Sequence, residues 1–307
     1  MRPRSSGSSP LNLTVIIPVF ERPLQLHACL SALGAQHDPP PFDIVVVDDG
    51  SRHPLQRDGL PGDGLLTLRM VRQSHAGIAA ARNRGIDEAT GDLLVFLDSD
   101  VVPTPMFLRA LAVGAAGWPT AVAFQARLVA HPTRMSWRVE GARLAAIQNI
   151  LSLGDGRIRY ANTSAFAVRR RHAQACAPYF DPTVRRGEDT LILARLARQA
   201  CLPTFVPDAV AEHRPPGQLP HYLIRHLRIG YQDVPARIQA SAAGHLLLTP
   251  AGRIQILRQL AHYAGPGLAG RLVLVLALLG YAFELAGRMA GHAKQAIGAL
   301  RQPANLS

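Results

Sequence analysis

Cysteine is scarce in this 307-residue chain: Cys29, Cys176 and Cys201 are all there are, odd in number and far apart. A disulfide framework and a cysteine zinc site are thereby excluded, and a reducing, cytoplasmic setting is expected. Lysine is scarcer still, since Lys294 is the only one among 33 basic side chains. Aromatics amount to 6%, too few for the interleaved aromatic and basic surface of a single-strand binder, and no helix-turn-helix pattern is evident. Nucleic acid is therefore not an expected partner despite the net charge of +12.

Acidic residues almost vanish from the last third. From His213 onward ten basic residues face only Asp233 and Glu284, which supplies +8 of the +12. An anionic membrane surface or an anionic substrate would account for that excess. The chain also lacks a long uncharged apolar run. Its longest, Leu272 to Phe283, is bounded by Arg271 and Glu284 and is short of the roughly 20 residues a spanning helix needs. Extending it to Gly267–Ala286 takes in both charges. An interfacial or core helix is expected here, with Arg288, Lys294 and Arg301 meeting anionic headgroups. At the other end, Leu13–Val19 contains Pro18 and no small-residue cleavage site follows, so no signal peptide is read.

What is present is 48% hydrophobic content, enough for a sizeable core. Short apolar runs alternate with helical patterns through the first half, the mark of βαβ units in a parallel sheet. Strands are expected at Leu13–Val19, Phe42–Val47, Leu65–Val71, Leu93–Leu97 and Ala121–Val129, with helices at Leu24–Leu33, Ile78–Ala89 and Met106–Val113. Further on, Arg143–Leu151 reads as a helix and Thr163–Val168 as a strand. Thr190–Gln199 follows as a helix opened by Glu188-Asp189, and Leu202–Val206 as a strand near an edge because of Pro203.

Ligands of open α/β sheets bind beyond the carboxyl ends of the strands. Here those ends are Phe20-Glu21-Arg22, Asp48-Asp49-Gly50-Ser51 and Asp98-Ser99-Asp100. If the chain stays extended, Asp98 and Asp100 project to one side, where paired hard oxygens suit Mg²⁺ or Mn²⁺. Each segment alone also fits an ordinary polar turn. Gly77 before a helix carrying Arg82 and Arg84 favours a nearby anion, or a solvated amphipathic helix. Glu188-Asp189 reads equally as a first-turn complement to the helix dipole.

Together these segments resemble the successive motifs of the family 2 glycosyltransferases: Val15–Arg22, Val45–Ser51, Gly77–Ile86, Val95–Asp100 and, later, Arg186–Thr190 preceded by Phe180-Asp181-Pro182. The resemblance spans roughly Leu13 to His213. It implies a GT-A fold, a Rossmann-like, mostly parallel sheet with helices on both faces, here with a C-terminal helical segment. It also implies a nucleotide-diphosphate sugar donor and Mn²⁺ or Mg²⁺. Asp49, with Asp48 beside it, would bind the base, Pro18, Phe20 and Glu21 would line the nucleotide pocket, and Arg82 would approach the nucleotide. Asp98, next to Ser99, would hold the ribose or sugar and Asp100 the metal, with Asp98 and His213 as further candidate ligands. Asp189 resembles the general base, with Glu188 its neighbour in the acceptor site.

One displacement with one base implies inversion at the anomeric carbon, on an acceptor glycan or lipid-linked glycan at the inner face of the cytoplasmic membrane. The expected organisation is a flexible segment 1–11, a catalytic domain 12–215 divided into a nucleotide-sugar half (12–130) and an acceptor half (131–215), and a basic helical region 216–307. A sugar-phosphate nucleotidyltransferase would share the α/β nucleotide site, but Phe20-Glu21-Arg22-Pro23 stands where its Gly-rich loop would be. A non-catalytic nucleotide-sugar-binding member would retain the fold, yet Asp49, Asp98, Asp100 and Asp189 are all present.

Overall fold

A computed structural model of the chain describes residues 11–57, 60–61, 67–130, 133–214, 219–242 and 250–301. Most of the expected flexible segment 1–11, and Leu65-Leu66 of the third expected strand, lie outside them. The first half contains β1 (Leu13–Val19), α1 (Pro23–Gly34), β2 (Phe42–Asp48), β3 (Leu68–Arg72), α2 (Ile78–Glu88) and β4 (Leu93–Leu97). After it come β5 (Val101–Pro103), α3 (Phe107–Gly117), β6 (Ala123–Ala130), α4 (Met135–Leu151), β7 (Ala165–Arg169), α5 (Arg170–Ala175), α6 (Glu188–Arg198) and β8 (Thr204–His213).

The strands form one sheet in the order β3-β2-β1-β4-β7-β6-β8-β5. β3, β2, β1 and β4 are mutually parallel, as the βαβ pattern predicts. Beyond β4 the sheet is mixed: β7 is antiparallel to β4 and β6, β8 is parallel to β6, and β5 is antiparallel to β8. β1 is buried along its whole length because both faces are covered. Val15 and Ile17 pack in one cluster with Leu26 and Leu30 of α1 and Leu108 of α3. Ile16 turns the other way, towards Ala79 and Ile86 of α2 and Ile192 of α6. Alternate residues of a strand face opposite sides, so an unbroken apolar run is what a two-sided core requires.

The C-terminal region forms α7 (Leu219–Gln232), α8 (Val234–Ala242), α9 (Pro250–Ala264) and α10 (Gly267–Arg301). α10 is 35 residues long and continuous through Glu284, so the charges bounding the apolar run do not bound the helix. By length and composition alone Gly267–Ile297 could cross a membrane. α10 meets α7 closely: a Cβ on Gly230 would strike the carbonyl of Glu284, and one on Gly287 the carbonyl of Leu227. Arg288, expected to reach headgroups, instead pairs with Glu284 on its own helix. Lys294 is exposed and lies over the Tyr231 ring; the Arg301 side chain lies outside the described residues.

Candidate active site

Because β1, β2 and β4 run parallel, their carboxyl ends open on one edge, and hydrogen bonds tie that edge together. The Asp49 N–H donates to the Val19 carbonyl (2.9 Å), and the Glu21 N–H donates to Ser51 Oγ (3.0 Å). Glu21 has a φ of 56° and accepts from the Arg52 N–H. Asp48 is buried, accepting from the Ser51 N–H at 2.9 Å and from Arg72 at 2.7 Å. The Asp49 carboxylate accepts from Gln73 Nε2 and from the Ala76 and Gly77 N–H groups, each within 2.9 Å, and pairs with His75 Nδ1 at 2.9 Å. Asp49 thus clasps the loop leading into α2. That clasp stacks His75 on Phe20, ring centroids 4.2 Å apart, beside buried Pro18. His75 had no signal in the sequence, because only the fold brings it to Phe20.

Asp98 and Asp100 do not share partners. The chain leaves β4 in a turn closed by the Val101 N–H on the Asp98 carbonyl (3.0 Å), so the extended geometry that would align the two carboxylates is absent. Ser99 is buried within that turn. Asp98 accepts from Arg82 Nη2 and from Ser164 Oγ, both at 2.7 Å. Burial would raise its pKa, but the Arg82 charge and the Ser164 hydroxyl hold it below the usual value. Arg82 is 1% exposed and spans the site, its Nη1 donating to Glu188 at 2.7 Å. Burial alone would weaken its hold on its proton; Asp98 and Glu188 more than reverse that. Arg82 is therefore a strut joining β4 to the start of α6.

Asp189, next in the first turn of α6, accepts from the N–H of Thr163 at 3.1 Å and from its hydroxyl. Burial, and then the neighbouring Glu188 charge, push its pKa up to about 7. A carboxyl poised near neutrality is suited to accept a proton as a general base.

Asp100 occupies a separate corner. One carboxylate oxygen takes Arg22 Nη1 at 2.6 Å, and the other faces His213 Nε2 at 3.8 Å. His213, at the end of β8, turns Nδ1 towards Glu140 Oε1 at 3.7 Å. Glu140 on α4, which sequence reasoning missed, is 2% exposed and is also approached by Arg143 and Arg225. Burial would raise its pKa, but Arg143 and its other partners hold it well below the carboxylate range. A carboxylate behind the second nitrogen of a histidine is a common way to orient a metal-binding imidazole. Among the described residues no group of three or more ligating side chains converges. Asp100 and His213 still offer one hard oxygen and one imidazole nitrogen, a donor set that fits a divalent ion taking its other ligands from water and phosphate. Both oxygens of Asp98 are already engaged.

The parallel half with acidic strand ends, joined to a mixed half that brings an acidic helix start to the same edge, is a GT-A type architecture. Residues 14–173 match the model of glycosyl transferase family 2, and the chain belongs to that family. It is 29% identical over 287 residues to a pre-mycofactocin glycosyltransferase of Mycobacterium tuberculosis (strain H37Rv), covering 89% of this chain and 57% of the relative. The chain thus spans little more than half the length of that relative. A hyaluronan synthase of Pasteurella multocida is 35% identical over 101 residues, 32% of this chain and 10% of that protein. Among solved structures, the mannosyltransferase PcManGT from Pyrobaculum calidifontis, in complex with GDP-Man and Mn²⁺, aligns with a TM-score of 0.55 at 22% identity. That alignment covers 98% of this chain and 85% of PcManGT. S. aureus TarS 1-349 with UDP-GlcNAc aligns at 0.53 and 15% identity, over 94% and 92% of the two chains.

Proposed function

We propose that this chain is an inverting, metal-dependent glycosyltransferase that moves a sugar from a nucleotide diphosphate to an acceptor hydroxyl. The observation that carries this reading is Asp189, a carboxyl raised to about 7 and joined through Glu188 and Arg82 to the acidic end of β4. Phe20 and His75 form a platform on which a nucleobase stacks, framed by Pro18, Glu21, Asp48 and Asp49. Asp98 and Ser99 face the ribose or sugar. Asp100 and His213 would hold Mn²⁺ or Mg²⁺, which when bound would supply positive charge against the diphosphate leaving group. Asp189 takes the proton of the acceptor hydroxyl as that oxygen attacks the anomeric carbon, and Glu188 keeps Asp189 basic enough to do so. With one base and one displacement, the anomeric configuration inverts. Residues 12–215 carry this chemistry, split at about residue 130 into donor and acceptor halves.

The relatives named hyaluronan synthase and chondroitin synthase support a glycan acceptor, of which a lipid-linked glycan is one form. Three free cysteines are consistent with work on the cytoplasmic side of a membrane. Transfer and hydrolysis screening across nucleotide sugars with Mn²⁺ or Mg²⁺, on wild type, Asp100→Asn and Asp189→Asn, tests the reading. Turnover should need metal and be lost in both variants. Undiminished transfer by Asp189→Asn would remove the base, and metal-independent turnover would remove the role of Asp100.

A further inference from the structure

α10 has two unlike faces. The inner one packs Val273, Leu276 and Ala277 into a core with Val139 of α4, Tyr222 of α7 and Leu260 of α9. On the outer face Leu268, Leu272, Val275, Leu279, Phe283 and Met289 are between 36% and 84% exposed. Only Arg271 interrupts them with a charge between Leu268 and Phe283. Just 33% of the most apolar window of this helix is buried, at a mean hydropathy of 1.8. An apolar stripe of this extent on a soluble surface marks a contact with something else.

The stripe runs along one side of the helix, whereas a crossing helix needs apolar flanks that lipid or other spans can surround. The other side carries Glu284, paired with Arg288 and facing His226 of α7 at 3.4 Å. Alongside it lies α7, bearing Arg225 and Arg228. Crossing would carry the exposed Arg228 into hydrocarbon uncompensated, and would take the Glu284–Arg288 pair with it; lying flat leaves Arg228 in water and the pair in protein.

Charge then selects the occupant. The only acids of 219–301, Asp233 and Glu284, are buried, while Arg228, Arg258, Arg271 and Lys294 are exposed. A second copy of the chain would set like charges against like, whereas anionic headgroups complement them. We propose that α10 lies in the plane of an anionic lipid surface, its Leu268–Met289 stripe at the acyl boundary and its inner face still packed on the acceptor half. This goes beyond the transfer chemistry and does not depend on it, so vesicle binding and sugar transfer can fail separately.

Flotation of the full chain with vesicles of phosphatidylcholine, with and without phosphatidylglycerol, tests the surface. Binding should appear with the anionic vesicles and fall about tenfold or more without the anionic lipid. Leu272→Glu with Leu279→Glu, both at exposed sites, should lose binding by a similar factor while nucleotide-sugar hydrolysis and the thermal midpoint stay unchanged. Unaltered binding by that double variant, equal binding to neutral vesicles, or a self-association that the variant breaks with no vesicle binding at all would each overturn the proposal. Orientation is read by quenching with brominated lipids. Tryptophans introduced as Val275→Trp and Met289→Trp stand about 21 Å apart along the axis and should be quenched at equal depth, measured over the two native tryptophans. A steep difference in depth would show a crossing helix and overturn the in-plane geometry.

Discussion

Replacing Glu188 by Gln should move the acid limb of kcat/KM to lower pH, because Glu188 is one of the two causes that raise Asp189. In the parent, Asp189 ionises at about 7, so the rate should fall about tenfold for each pH unit below that value. Burial contributes first and stays in the variant. The like charge of Glu188 contributes next and is lost. Two neighbouring carboxylates at an effective dielectric of about 20 interact strongly enough to separate their titrations by about one to two pH units. Glu188 also balances Arg82, which Asp98 would then balance alone; the freed positive charge lowers Asp189 further, so both effects share a sign. The assay is sugar transfer from pH 4.5 to 9 under subsaturating donor, with Asp189→Asn as reference. That reference should lose about 10²- to 10⁴-fold in kcat with little change in donor KM. A limb that stays in place or moves upward in Glu188→Gln would refute the electrostatic account. Stability carries the opposite sign. Ionising Asp189 is harder in the folded chain than in the unfolded one, so folding stability falls as pH rises from the ordinary carboxyl range to about 7, and Asp189→Asn should be more stable than the parent above that point.

Arg22→Ala should tighten Mn²⁺ binding measured by calorimetry without nucleotide, since it removes both a competitor for Asp100 and a repelling charge. The Arg22 side chain is half-exposed, so the gain should be modest, about fivefold at most. Glu140→Gln should destabilise the chain by about 3 kcal/mol in urea unfolding at neutral pH, because Arg143, Arg225 and His213 lose a buried partner. Glu140 is depressed in the folded state, so its stabilisation is present above the ordinary carboxyl range and lost as pH falls below it; the gap between parent and variant should close in that direction. Gly287→Ala should force α10 away from α7, lowering the thermal midpoint and raising proteolysis in the C-terminal helices while the sheet stays folded.

The strands that sequence reading placed best are those whose local chemistry is unambiguous. β1 and β4 coincide with the expected Leu13–Val19 and Leu93–Leu97 because, Thr14 apart, each is wholly apolar and gives way to polar residues. The expected strand stops at Val206, whereas β8 runs on to His213. The chain bulges at that point, passing from Val206 opposite Ala126 to Val210 opposite Arg127. The bulge accommodates a proline that cannot donate to a ladder, and pairing resumes. β8 lies next to the edge of the sheet, as Pro203 suggests, but is covered along both stretches: residues 156–158 bond it at Pro203–Phe205 and β5 pairs with it at Ala211–His213. α4 begins at Met135, eight residues before the expected Arg143, for Trp137-Arg138 and Glu140-Gly141 break the apolar period of a helix whose buried face includes a paired charge.

The candidate site divides along the same line. Asp98, Asp100, Glu188 and Asp189 were visible because each ends a strand or opens a helix, and element ends can be read from local pattern. What they bond to was not visible. Arg82 looked like an anion contact on a helix start, but the distances make it the link between Asp98 and Glu188. His75 and Glu140 carry no motif, since each gains its role from a partner far away in the chain: Phe20 and Asp49 for the first, His213 and Arg225 for the second. Arg225 belongs to α7, which also packs against α10. The residue behind His213 is thus gripped by the same helical layer that exposes the apolar stripe.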